Sequence, residues 1–134
     1  MTMKKDFLRP ELRAAVEAAF EKQAANVTLL DLDGLGAFTS YFVMCTGFSS
    51  RQVEAICDEV ERKMELSGAR LRHREGQSGG DWMLLDFGGV IVHVFTENAR
   101  RFYDLERLWR AARRIVFDDP GEDSRLPRTA EAEG

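Results

Sequence analysis

Apolar positions along the chain recur with two periods, one near four residues and one of two. After Pro10, Leu12, Val16, Ala19 and Phe20 share one helical face while Arg13, Glu17, Glu21 and Lys22 fall largely off it. This spacing predicts an amphipathic helix over residues 10–24, with proline in the first turn, where no amide hydrogen is needed. Asn26 ends it, and residues 27–32 form a short β-branched and leucine-rich strand. Gly34-Leu35-Gly36 then turns the chain into a second strand over residues 41–46.

Gly47-Phe48-Ser49-Ser50-Arg51-Gln52 joins that strand to a second helix, with Ser49 and Gln52 spaced as a capping box. Val53, Ile56, Cys57, Val60 and Met64 make its apolar stripe, and Gly68 supplies the stop. A third strand is expected at residues 71–74, followed by the turn-rich Gly76-Gln77-Ser78-Gly79-Gly80. Strands over residues 82–87 and 90–95 flank Gly88-Gly89, the signature of a two-residue hairpin. From Glu97, Phe102, Leu105, Leu108 or Trp109, Ala112 and Ile115 predict one last helix. Asp118-Asp119-Pro120-Gly121 breaks it. The expected fold is therefore one α/β (mixed α+β) domain over residues 1–117, a mixed five-stranded sheet with helices packed against it. Residues 118–134 lack periodicity and are expected to form an acidic, mobile tail.

Length and charge narrow the function classes. A chain of 134 residues, 44% hydrophobic, needs no disulfide or metal staple to fold. Residues 1–117 hold 17 basic and 17 acidic side chains, and the net charge of −4 comes from the tail. A neutral domain lacks the broad positive field of a non-specific nucleic-acid binder, although a local basic stripe can exist. No run of roughly 18 uncharged apolar residues and no secretory leader pattern is present, so a cytoplasmic location is expected. Cys45 and Cys57 lie in apolar positions and suit buried, reduced thiols.

Several residues carry candidate chemistry. Asp31 and Asp33 alternate onto one strand face and could hold a metal, but Asp-Leu-Asp-Gly is also an ordinary exit into a turn. Gly47-Phe48-Ser49-Ser50 could cradle a phosphate, as in nucleotidyltransferases. Those enzymes place paired aspartates after that turn; here the pair precedes it, and Leu71-Arg72-His73-Arg74 follows. Cys45, His93 and Asp86 are the residue types of a thiol triad without its local signature. The two histidines, His73 and His93, make a zinc site improbable. Metal, cofactor and catalytic residues are therefore all expected to be absent. Arg100, Arg107, Arg110, Arg113 and Arg114 offer an RNA-binding alternative.

The hairpin carries the stronger anomaly. Alternation sets Trp82, Leu84 and Asp86 against Met83, Leu85 and Phe87, and Ile91, His93 and Phe95 against Val90, Val92 and Val94. Both faces are largely apolar. An aromatic, an aspartate and a histidine on one face suit a partner interface, unless the sheet is covered on both sides.

Three blocks give the chain a resemblance. Tyr41-Phe42-Val43-Met44-Cys45-Thr46-Gly47-Phe48-Ser49-Ser50-Arg51, then Gly80-Asp81-Trp82-Met83-Leu84-Leu85-Asp86-Phe87-Gly88-Gly89-Val90-Ile91-Val92-His93-Val94-Phe95, then Arg101-Phe102-Tyr103-Asp104-Leu105-Glu106-Arg107-Leu108-Trp109 resemble the Iojap family of ribosomal silencing factors. Members usually carry aspartate in place of Ser40 and often an acidic residue in place of Gly89. The resemblance implies a nucleotidyltransferase-like fold without catalytic groups. It also implies binding to the large ribosomal subunit at a protein of the L-fourteen family, blocking of small-subunit joining, repression of translation under nutrient limitation, and dimerisation when free. Combined with strand alternation, it puts the partner-binding surface at Trp82, Leu84, Asp86, His93, Tyr103, Asp104, Leu105, Glu106 and Trp109.

Overall fold

The computed structural model describes residues 9–76 and 80–118. The chain runs α1 (Pro10–Glu21), β1 (Ala25–Asp31), β2 (Tyr41–Gly47), α2 (Ser50–Leu66), β3 (His73–Gly76), β4 (Trp82–Asp86), β5 (Val90–Thr96), α3 (Glu97–Tyr103), α4 (Leu105–Leu108) and β6 (Arg113–Val116). One mixed sheet has the order β3-β4-β5-β2-β1-β6. Among the described residues, only β2 and β5 pair in parallel. Their connection passes through α2 and the antiparallel β3–β4 pair before β5 returns to the sheet centre.

Two expectations about the C-terminal region require correction. The sheet has six strands, and the single helix from Glu97 is two short helices followed by β6. Asp104 adopts a left-handed backbone (φ 49°), which ends α3 and restarts the chain as α4. Arg113-Arg114-Ile115-Val116 then adds to the free edge of β1, with Ile115 opposite Leu29. The predicted tail from residue 119 onward lies outside the described residues, as do residues 77–79 of the predicted turn.

The sheet is covered on both faces. On one, α1 and α2 bury Val16, Ala19, Val53, Ile56, Cys57, Val60 and Met64 against Leu29, Val43, Cys45, Leu85, Val92 and Val94. On the other, Leu30, Phe42, Met44, Ile91 and Phe95 lie beneath the α3–α4 segment, with Trp82, Leu84, Tyr103, Leu105 and Trp109 packed against them. Alternation along β4 and β5 therefore sorts side chains as the sequence predicts, and the second face carries a thin lid of its own chain.

The junctions are satisfied locally. Ser49 Oγ accepts from the Gln52 amide at 3.1 Å, and Gln52 Oε1 accepts from the Phe48 amide at 2.7 Å. Gln52 Nε2 also donates to the carbonyls of Lys22 and Gln23, tying the end of α1 to the start of α2. In the β4–β5 hairpin Gly88 takes φ +91°, a conformation L side chains rarely adopt, and its amide donates to Asp86 Oδ1 at 2.8 Å. The loop before β2 leans on this turn. Thr39 Oγ1 donates to the Gly88 carbonyl, while Ser40 and Tyr41 amides donate to that of Gly89. Ser40 and Gly89, where the resemblance expects acidic residues, are thus direct neighbours.

Candidate partner-docking interface

Three of the chemical alternatives dissolve in the geometry. Asp31 Oδ1 accepts from the Asp33 amide at 3.1 Å, the side-chain-to-backbone bond of a strand exit. At the start of α2, the Phe48 and Gln52 amides are used by the protein's own side chains rather than left for a phosphate. Cys45 and His93 project from opposite faces of the sheet, Cys45 among the α1–α2 core and His93 in register with Met44 beneath the α3–α4 lid. No thiol–imidazole pair can form across a sheet. Burial also pushes the Cys45 and Cys57 thiols up to about 12, so both stay protonated, and both are free of disulfides. Among the described residues no group of three or more His, Cys, Asp or Glu side chains is placed to hold a metal.

The side chains expected at the interface come together on the α3–α4 face. Trp82, at the start of β4, is half-buried: its indole stacks on Phe95 (centroids 5.4 Å apart) and packs against Tyr103 at 4.4 Å. Leu84, Tyr103, Leu105 and Trp109 are likewise half-buried, and Trp109 sets its edge against Phe42 at 6.1 Å. Such rings present apolar area at low cost in side-chain entropy, since their packing already fixes them.

His93 is a correction. It is 3% exposed and lies below the surface, its Nδ1 accepting from the Trp82 indole N–H at 3.1 Å. Alternation gives its face correctly but not its depth, because the lid that covers it comes from a segment read as a continuous helix. Burial, reinforced by the positive charge of Arg100, pushes the imidazole down to about 3.

The acidic residues divide. Asp86 is half-buried and caps the hairpin turn. Glu106 accepts from Arg100 at 2.9 and 3.3 Å, so much of its charge is used internally. Asp104 sits at the α3–α4 corner, half-buried.

Arg100 organises this corner. Besides Glu106 it donates to the Asn26 carbonyl, Thr28 Oγ1 and Thr46 Oγ1, so one guanidinium ties α3 and α4 to β1 and β2. Its pairing with Glu106 is an internal use of one of the arginines that the RNA-binding alternative would need. Sequence reasoning missed Phe102 and Leu108, which are 80% and 71% exposed and line a shallow cleft with Arg101, Arg107 and Arg110. In one uninterrupted helix Phe102 would have joined the core stripe. The signal available was Asp104-Leu105-Glu106, which reads equally as a helix restart.

Comparison with known proteins agrees with this architecture. A family model described as "Ribosomal silencing factor during starvation" matches residues 5–134. The Ribosomal silencing factor RsfS of Bacillus subtilis is 37% identical over 98 residues, 73% of this chain and 83% of that protein. The chloroplastic Iojap protein of Zea mays is 32% identical over 69% of this chain and 40% of its own length. A crystal structure of a Chromobacterium violaceum protein superposes with a TM-score of 0.71 at 33% identity, covering 74% of this chain and 82% of the other. One from Bacillus halodurans gives 0.65 at 37% identity, covering 73% and 91%. A match over nearly the whole sequence, joined to the same fold, places the chain in the ribosomal silencing factor family.

Proposed function

We propose that this protein binds the large ribosomal subunit through a ribosomal protein of the L-fourteen family, blocks joining of the small subunit, and so represses translation when nutrients are limiting. Its action is steric and uses no catalytic group. The observation that carries the docking surface is the half-buried aromatic group on the α3–α4 face, where Trp82 stacks on Phe95 and Tyr103 beside Leu84, Leu105 and Trp109. Desolvated aromatic anchors of this kind dominate binding energies, and Asp86 and Asp104 at their margin suit a basic partner. The same apolar face would be shared between two copies in the free protein, so dimerisation and docking compete.

Sedimentation with purified subunits tests the reading. The protein should co-migrate with large subunits alone and prevent their association with small ones. Equal binding to both subunits, or normal joining in its presence, would contradict it.

An RNA contribution is the second reading. It is favoured by the cleft in which exposed Phe102 stands among Arg101, Arg107 and Arg110. If RNA dominated, affinity would fall steeply with salt and Arg107→Ala would weaken binding as much as Trp82→Ala. The protein-docking reading predicts a shallow salt dependence.

A further inference from the structure

His93 makes one hydrogen bond through its ring and leaves the other nitrogen without one. Nδ1 accepts from the Trp82 indole N–H, so in the neutral ring the proton sits on Nε2, a buried atom with no partner among the described residues. The ring is enclosed by aromatics, edge-on to Phe42 at 4.5 Å and parallel to Phe95 at 5.8 Å. A buried donor left unpaired is destabilising, and phenylalanine in the same aromatic shell would not carry that cost. Packing therefore gives no reason for a histidine here. What the imidazole supplies, and a hydrocarbon ring cannot, is an acceptor aimed at the indole N–H.

We propose that His93 is a positioning residue for partner docking: by holding the Trp82 indole N–H inward, it fixes the ring on Phe95 and Tyr103 and leaves only its carbon edge for the partner. This rests on the docking face proposed above and specifies its chemistry. A partner meeting Trp82 must offer an apolar surface, since the indole donor is already used. The lowered proton affinity of His93 suits this role, because protonation of Nδ1 would set one donor against another.

Four single variants of the full chain decide it, each assayed for thermal midpoint and binding to purified large subunits, and the two His93 variants also for the Trp82 indole N–H resonance. His93→Phe should fold with an unchanged or higher midpoint, shift that resonance, and bind about tenfold more weakly, the cost of ordering a released side chain on docking. His93→Asn returns an acceptor near the Nδ1 position and should recover most of the binding and the resonance. Trp82→Phe removes the donor from the other end and should also weaken binding, which keeps the test alive if His93→Phe does not fold. Wild-type affinity in His93→Phe or Trp82→Phe, with the bond lost, would overturn the positioning role. Trp82→Ala separates the two levels: if it binds normally, the docking face itself is wrong; if it alone fails to bind, the face stands and His93 is merely structural.

Discussion

His93 also ties the stability of the domain to pH. In the folded chain its proton affinity is pushed down to about 3, chiefly by burial, whereas an unfolded imidazole takes its proton near 6.5. Between those values the unfolded state binds more protons than the folded one, so stability rises with pH. The contribution is complete above about 6.5 and is lost progressively as pH falls toward 3, amounting to about 2 kcal/mol at pH 5. Calorimetry from about pH 7 to 5, a window in which most carboxylates stay ionised, should show a falling midpoint in the wild type and a flatter profile in His93→Phe. Equal slopes would place His93 in a more polar setting than the aromatic shell described.

Among the elements, the α3–α4 lid depends on Arg100 more than on its own helical content, since α3 has seven residues and α4 four. Helices that short are marginal alone. Arg100→Ala would leave Glu106, Thr28 and Thr46 without their shared donor and should cost about 1.5–3 kcal/mol, the range for hydrogen bonds to charged groups. Hydrogen exchange should accelerate in residues 97–109 while α2 stays protected; an unchanged lid would mean that Trp82, Tyr103 and Trp109 packing holds it unaided. The same segment marks the limit of what the sequence reveals. Helices α1 and α2, the Ser49 cap of α2 and the Gly88-Gly89 hairpin follow from local spacing and turn chemistry, and the structure contains them. Strand β6 does not: Ile115 continues a helical stripe from Ala112, and only the open edge of β1 makes an extended conformation the better partner for Arg113-Arg114-Ile115-Val116. Likewise Asp104 has a left-handed backbone that no local rule demands of an aspartate. The clustering of Trp82, Tyr103 and Trp109 on the candidate face was legible; the depth of His93 was not, because it depends on the α3–α4 segment.

For the whole molecule, the two sheet faces serve different ends. The α1–α2 side is a sealed core, and no helix among the described residues is long and apolar enough to cross a membrane. The α3–α4 side is half-open and is the surface we assign to the partner. Residues 119–134 carry five acidic and two basic side chains and no apolar periodicity. Removing them should leave the thermal midpoint and large-subunit affinity nearly unchanged. A large loss of affinity would make the segment part of the interface.

The central claim is that the Trp82 face docks, and one variant tests it most directly. Trp82→Ala should still fold, with a lowered thermal midpoint, because the half-buried ring loses apolar burial together with stacking worth about 0.5–1.5 kcal/mol. Its affinity for purified large subunits, measured by co-sedimentation, should fall by about 2 kcal/mol or more, the loss typical of an interface anchor. A Trp82→Ala protein that folds and still co-sediments like the wild type would contradict the account.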